Sequence, residues 1–287
     1  MKTQLKHAFL IAVAASCAPI FAQQVPSAKS IDFEVETRIT TNRSTRGVSE
    51  SALRPSASIT VNAIHESGFA ALVELATVSK TVFTDGQSIL LFGGGYRGGD
   101  SEGVRYGAGA YYEMFPGAKY EAPMDLNDLA SGTTQKRKFN TGYALFELGY
   151  GIFDIRYEHS LSKYFRGVSS GSVCPFLQDP TAQLDCYTRG DVSSRGTGYL
   201  SVIAKYKLNS NWQIGGHIGT QRVSNFSVLN LTDVRFSIDY LTGNWILGAD
   251  LTSANVKDKA LYRFQRSNGR TYQANQTQMA LRAAYKF

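Results

Sequence analysis

The chain has 287 residues, with 16 Tyr, 16 Phe and 27 Gly but only 7 Pro. Short segments separated by turn-forming residues indicate an all-β protein. Its 30 basic and 23 acidic side chains give a net charge of +7, of which the predicted leader carries Lys2 and Lys6. The remaining mild excess suits contact with anionic lipid headgroups and argues against nucleic-acid binding.

The first 22 residues predict a cleaved secretory signal peptide. Lys2 and Lys6 precede an apolar run over 8–15, and small residues lead to a cleavage site after Ala22. Lipid attachment at Cys17 is the alternative. After Ala22 no stretch approaches the roughly 20 apolar residues that a spanning helix needs. We therefore expect an exported chain with a short periplasmic segment at 23–30 and a barrel over 31–287.

From Ile31 onward the sequence contains twelve candidate strands. Most are near the roughly 9 to 11 residues that a tilted membrane-spanning strand needs, and most alternate apolar with polar residues. Phe153, Ile155 and Tyr157, for example, alternate with Asp154 and Arg156. The predicted strands are 31–41, 56–65, 69–78, 88–97, 103–113, 140–149, 152–161, 197–207, 211–221, 234–241, 244–254 and 276–287.

The connections between these segments alternate in length. Tight turns are predicted at 65–68, 98–103, 150–152, 208–211 and 242–244, and longer polar loops at 42–55, 79–87, 114–139, 162–196, 222–233 and 255–275. A soluble sandwich has no reason to alternate loop length so regularly. The pattern predicts a closed antiparallel up-and-down transmembrane β-barrel of about 12 strands (range 10–14) in the bacterial outer membrane, with short periplasmic turns and long extracellular loops.

The C-terminal sequence ALRAAYKF places Leu281, Ala283, Tyr285 and Phe287 on one side of an extended strand. In a barrel this is the lipid-facing side of a closing strand. Tyr285 and Phe287 are therefore predicted to form a C-terminal insertion signal, which the barrel-assembly machinery reads.

Several segments resemble one known family. They are TNRSTRGVSES (41–51), RPSASITV, HESGFAALVELATVS, YYEMFPG (111–117) and FELGYGIFDIRYEHSLSKYF (146–165). This pattern is similar to the Gcw_chp family of outer-membrane proteins, also called TorF-like porins, over most of the mature chain. The resemblance implies a barrel with an undefined substrate, and it carries over no catalytic residues.

Charged residues at the polar positions of the strands are predicted to line the lumen, and their signs nearly balance. They could form a polar pore with a transverse field, or close the lumen by ion pairs. The predicted lumen residues are Glu36, Arg38, Arg105, Glu113, Asp154, Arg156, Glu158, Arg235, Asp239 and Arg282.

The long loops offer two further sites. Cys174 and Cys186 lie in one loop, and an exported chain favours a disulfide between them. That loop could fold inward and constrict the mouth, or stay outside and resist proteases. The basic loop residues are predicted to meet lipopolysaccharide phosphates outside, or to attract anionic solutes; they include Arg43, Arg46, Arg54, Lys136, Arg137, Lys138, Lys163 and Arg166.

Enzymatic chemistry finds little support in the sequence. Beyond the leader the histidines are His65, His159 and His217, and none has a positioned serine or cysteine nearby in a strand. We predict no enzyme activity, no cofactor and no metal. The expected function is that of a porin for passive passage of small polar solutes or ions. The alternatives are a non-conducting surface barrel whose loops bind a ligand, lipopolysaccharide or another cell, and, less favoured, a barrel hydrolase.

Overall fold

The computed structural model describes residues 31–100, 103–266 and 268–287; the predicted signal peptide and the segment 23–30 lie outside the described residues. Twelve long strands form one antiparallel sheet that closes on itself. They are β1 (Ile31–Thr40), β2 (Ser56–His65), β3 (Phe69–Thr77), β4 (Ser88–Gly99), β5 (Val104–Met114), β6 (Thr141–Tyr150), β7 (Phe153–Ser160), β8 (Gly198–Lys207), β9 (Trp212–Arg222), β10 (Leu231–Thr242), β11 (Trp245–Val256) and β12 (Gln278–Lys286).

Pairing between the first and last strands closes the barrel. Thr37 of β1 lies opposite Tyr285 of β12, and the Phe287 amide donates to the Val35 carbonyl at 2.9 Å. Each of the twelve described barrel strands is therefore paired on both sides, which a hydrocarbon environment requires. The predicted fold and strand number are confirmed. No described helix is long and apolar enough to cross a membrane.

The outer wall carries the apolar half of each alternating strand. Phe236, Leu251 and Leu281 are each about half exposed there. Aromatic side chains form a belt at the end of the barrel that carries the short turns, where Trp245 meets Tyr285 with ring centroids 4.9 Å apart. Such a belt marks a membrane–water interface. Its members are Phe69, Tyr96, Tyr106, Tyr150, Phe153, Tyr206, Trp212, Tyr240, Trp245 and Tyr285.

The connections follow the predicted asymmetry. The short ones are 66–68, 100–103, 151–152, 208–211 and 243–244, with 101 and 102 outside the described residues.

The strand boundary that differs most from its prediction is the start of β10, which lies at Leu231 where the alternation predicted 234. Leu231 and Asp233 face inward and are buried, and Leu231 packs with Tyr262 from a loop. The extra residues are ordered because the loops cover the mouth.

The long loops hold regular structure that their polar composition did not predict. Three short hairpins pair Ser44–Thr45 with Val48–Ser49, Lys119–Ala122 with Gln135–Lys138, and Arg263–Gln265 with Thr271–Gln273. The helices are α1 (Leu126–Ser131), α2 (Ser170–Val173) and α3 (Pro180–Thr188), with 3-10 turns at Phe165–Gly167, Cys174–Phe176, Ser227–Leu229 and Ala260–Tyr262. Small apolar clusters hold them together; Phe83, for example, stacks on Phe115 with ring centroids 4.3 Å apart.

The predicted disulfide between Cys174 and Cys186 is present and buried. Its Cα atoms are 5.5 Å apart, and it joins the Cys174–Phe176 turn to α3. The bridge therefore fixes the distal part of the loop 161–197, and leaves the part nearest the barrel to be held by other contacts.

Leu251 tests the lipid-facing register, because it lies near the middle of β11 and points outward. Replacing it with Arg should lower the free energy of unfolding by about 2–4 kcal/mol, the cost of a cation at mid-membrane depth. Equilibrium denaturation in phospholipid vesicles measures this loss, with Leu251→Met as the volume-matched control. Equal stability of the two variants would show that this face does not meet lipid.

Candidate functional site

The structure places all ten predicted lumen residues on the inner wall. On β7, for instance, the buried Arg156 and Glu158 alternate with the exposed Ile155 and Tyr157. The same alternation turns Arg38, Arg105 and Asp239 inward on their strands. The candidate site is therefore the interior of the barrel, together with whatever the loops insert into it.

The first extracellular loop, residues 41–55, enters the barrel mouth. Its hairpin turns at Gly47, whose φ is +72°. A Cβ atom at this position would lie 2.6 Å from the Cβ of Ala254 and 2.8 Å from that of Asp233. Only glycine allows both the left-handed backbone and this close approach. The loop starts at β1, so it reaches across the mouth to the wall formed by β10 and β11.

Arg46 anchors the tip of this loop. Its guanidinium donates to Glu158 at 2.5 Å and to Gln221 at 2.8 Å, and lies 4.5 Å from the ring centroid of Tyr199. Burial lowers the pKa of Arg46, but the Glu158 carboxylate more than offsets this, and the pKa is raised. Arg46 thus stays charged while it is enclosed by β7, β8 and β9.

A continuous chain of ion pairs crosses the mouth beside Arg46. Arg43 forms an ion pair with Glu74 of β3 at 2.9 Å and donates a hydrogen bond to Glu50 at 3.0 Å. Glu50 also accepts from Arg166 at 2.7 Å, and Arg166 donates to Glu113 of β5 at 2.7 Å. Because Arg166 comes from the loop 161–197, the chain ties two loops to two strands.

Glu50 is the central member of this chain and is 2% exposed. Burial raises the pKa of Glu50, whereas the guanidinium groups of Arg166 and Arg43 lower it, and the net shift is downward. Burial lowers the pKa of Arg166, but Glu113 and Glu50 raise it well above its usual value. Glu50 and Arg166 are therefore both charged at neutral pH.

These contacts correct the predicted position of three basic residues. Arg43, Arg46 and Arg166 are not on the outer surface, since their side chains are 9%, 7% and 16% exposed. Strand polarity alone could not reveal this, because their carboxylate partners are distant in sequence. Lys136 and Lys163 do lie outside, at 68% and 59% exposure. The loop 161–197 folds inward at Phe165 and Arg166.

Further from the mouth the lumen charges form smaller ion pairs. Arg105 meets Asp154 at 3.1 Å on one wall, and Arg282 meets Asp239 at 2.5 Å on the other. Several of these groups stay partly exposed, and the Arg97 side chain is 28% accessible. Other pairs among the described residues are Arg38 with Glu36, Arg97 and Arg156 with Glu147, and Arg282 with Asp250. Solvent therefore reaches the lumen beyond the inserted loop.

One part of the wall leaves open space. Gly93 and Gly95 of β4 and Gly107 and Gly109 of β5 occupy inward positions. They border a cavity of about 120 Å³ that also touches Leu72, Leu145 and Glu147. Inward glycines widen the lumen here, because no side chain fills it.

In the described part of the inner wall, the histidine His217 is not paired with a serine or cysteine nucleophile. His217 bonds Asp233 at 3.0 Å and Tyr199 at 2.8 Å, and among the described residues its ring has no serine or cysteine partner. Nor do the described ranges contain a group of three or more His, Cys, Asp or Glu placed to hold a metal ion. The geometry offers charge and space, without a positioned nucleophile.

A closed barrel with an apolar belt outside and a charged, partly hydrated interior is a bacterial outer-membrane β-barrel. The family described as "Bacterial protein of unknown function (Gcw_chp)" matches residues 25–285, and the chain belongs to it. The predicted family is confirmed. No curated protein matches the chain.

Several solved outer-membrane channels are similar to this chain over most of its length, with TM-scores below 0.5. The KdgM porin is 10% identical with a TM-score of 0.48, over 88% of this chain and 99% of its own. The NanC porin is 12% identical with a TM-score of 0.48, over 89% and 99%. The COG4313 outer membrane channel from Pseudomonas putida F1 is 10% identical with a TM-score of 0.41, over 94% and 99%. At these scores the likeness carries no conclusion about a solute.

Removing the charge of Glu50 should release the first loop. In Glu50→Gln, Arg43 keeps Glu74 and Arg166 keeps Glu113, so we expect a loss of about 3 kcal/mol, at the lower end for a broken buried pair. Amides of residues 41–55 should then exchange with solvent about 100-fold faster. Glu121→Gln is the control, because its pair with Lys136 spans 3.5 Å and is exposed. Unchanged exchange in Glu50→Gln would show that this pair does not hold the loop.

Acid should loosen the same loop. The folded pKa of Glu50 lies below its ordinary value, so its stabilising contribution is complete above about pH 4.3 and is lost as pH falls through the lower folded value. Protection factors of residues 41–55 should stay level from neutral pH to about pH 5 and fall below about pH 4. Glu50→Gln should show a smaller fall, and an identical profile in both proteins would contradict the role of this carboxylate.

Proposed function

We propose that this barrel is an outer-membrane channel for passive passage of small polar solutes or ions, with its narrowest point at the inserted first loop. The observation that carries the proposal is the partly exposed charged lumen beyond that loop. A lumen closed along its length would bury all of these groups, whereas the Arg97 side chain remains 28% accessible to solvent. Ion pairs along the wall then set the polarity of the path.

The loop contacts suit a constriction better than a permanent stopper. Residues 41–55 are held in the mouth by small apolar contacts and by ion pairs, and protonation of Glu50 would weaken the ion pairs. The loop 161–197 adds Arg166 to the same network. Passage is accordingly narrow, and it depends on how far these two loops yield.

The non-conducting surface barrel is the second candidate, and one observation favours it. The extracellular loops pack in ordered apolar clusters, such as Tyr143 with Phe165 and Phe226, which cover the mouth. The exposed Lys136 and Lys163 would then meet lipopolysaccharide phosphates. A barrel hydrolase finds no support in the contacts of His217.

Three expectations concern export and assembly. Residues 1–22 direct secretion, and 23–30 lie in the periplasm after cleavage. The outward Tyr285 and the exposed Phe287, with ring centroids 4.8 Å apart, present the aromatic end of β12 to the barrel-assembly machinery. These stay predictions.

Single-channel recording in planar bilayers tests the proposal. The mature protein should give small discrete current steps in KCl, and Glu50→Gln should raise the conductance about twofold or more, because the inserted loop is freed. Glu121→Gln, on the exposed hairpin, should conduct as the wild type does. A folded protein that stays silent, both as wild type and as Glu50→Gln, would reject the channel and leave the surface barrel.

A further inference from the structure

Two cations of the inner wall lie on either side of strand β9. Lys205 on β8 pairs in register with Gly215 of β9, and Arg235 on β10 pairs with His217. Gly215 itself faces the lumen between Gln213 and His217, so no side chain of its own separates the two cations. Both cationic side chains are partly exposed to the lumen.

Neither cation has a carboxylate partner among the described residues, in contrast to the other mid-wall cations. Arg38 pairs with Glu36, and Arg282 pairs with Asp239 and Asp250. Arg97 and Arg156 both meet Glu147, and Arg105 meets Asp154. Lys205 and Arg235 form no such ion pair within the described ranges.

The surroundings of Lys205 hold charged groups of both signs. Its electrostatic neighbours are Arg235, Arg282, Arg38 and the carboxylate of Asp239. The whole patch holds four cations, Lys205 included, and four inward carboxylates, Glu36, Asp233, Asp239 and Asp250. Each of these carboxylates is already engaged by Arg38, Arg282 or His217, whereas Lys205 and Arg235 form no ion pair among the described residues.

Open space lies across the barrel from this patch. In the closed order of twelve strands, β4 and β5 stand six positions from β10 and β11. Their inward glycines, Gly93, Gly95, Gly107 and Gly109, border the cavity of about 120 Å³. A solute therefore finds fixed positive charge on one side, and on the other a cavity lined by these glycines together with Arg97, Glu147 and Arg156.

We propose that Lys205 and Arg235 form a binding site for the carboxylate of a small organic acid, and that this site gives the channel a preference for monovalent anions. The proposal rests on the proposed channel function and names its solute class. A guanidinium binds a carboxylate through two parallel hydrogen bonds, and a nearby ammonium adds a point charge. Two cations without an ion-pair partner match a single carboxylate, whereas the nearby Asp239 and Asp250 oppose a multiply charged anion.

Reversal potentials in a tenfold KCl gradient test the preference at low salt, where screening is weakest. The wild type should favour Cl⁻ over K⁺. Lys205→Gln and Arg235→Gln should each lower the permeability ratio of Cl⁻ to K⁺ about threefold, the effect of one charge about 6 Å from a passing ion in water. Lys205→Arg should retain the preference. Lys119→Gln, an exposed cation of a loop hairpin, is the matched control and should leave the ratio unchanged.

Gluconate tests the binding site itself, with sorbitol as its uncharged counterpart of equal chain length. Gluconate should reduce the KCl current in a saturable way, and sorbitol should not. The double variant Lys205→Gln/Arg235→Gln should lose saturation. A channel that conducts without anion preference, or that gluconate blocks equally in wild type and double variant, would overturn this site and leave the channel function standing.

Calorimetric titration of gluconate into the folded protein in detergent at low salt separates the two proposals. A barrel that is silent in bilayers but binds gluconate through Lys205 and Arg235 would reject the channel and support the site. Absence of saturable binding to the wild type, or equal binding to the double variant, would overturn the site whatever the bilayer shows.

Discussion

The arrangement of the barrel mouth depends on one carboxylate held between two guanidinium groups. Glu50 contacts Arg43 at 3.0 Å and Arg166 at 2.7 Å, in a position that is almost fully buried. Burying any one of these charges alone would be costly. Together they are compensated, and this allows a polar loop to sit inside the barrel. The ion pairs of Arg43 with Glu74 and of Arg166 with Glu113 then anchor the two loops to β3 and β5.

The barrel follows from the sequence because its cause is local. Strand residues alternate between lipid and lumen, so the side of each side chain can be read from its neighbours alone. Phe153 to Glu158 and Leu281 to Phe287 show this directly, and the structure orients them as their alternation predicts. The alternation of short and long connections also predicts which end of each strand faces the periplasm and which faces the outside.

The inserted loop could not be read in the same way. Arg46 finds Glu158 and Gln221, which are 112 and 175 residues away in sequence, and Arg166 finds Glu50 across 116 residues. No periodicity connects such partners. The Arg-Gly pair at 46–47 was the available signal, since a glycine beside an arginine suits a tight turn that delivers a cation. Its meaning depends on Asp233 and Ala254, which close around Gly47 only in the folded barrel.

The two sides of the lumen differ in how completely their charges are compensated. Near the mouth the inserted guanidinium groups of Arg43, Arg46 and Arg166 each pair with a carboxylate, and these pairs hold the loops in place. On the wall of β8 and β10, Lys205 and Arg235 are partly exposed and form no ion pair among the described residues. Glu50→Gln and Lys205→Gln should therefore act on different quantities: the first on conductance with little change in ion preference, the second on ion preference with little change in loop protection. A shift of both quantities by either variant would mean that the loop and the cation patch form one electrostatic unit.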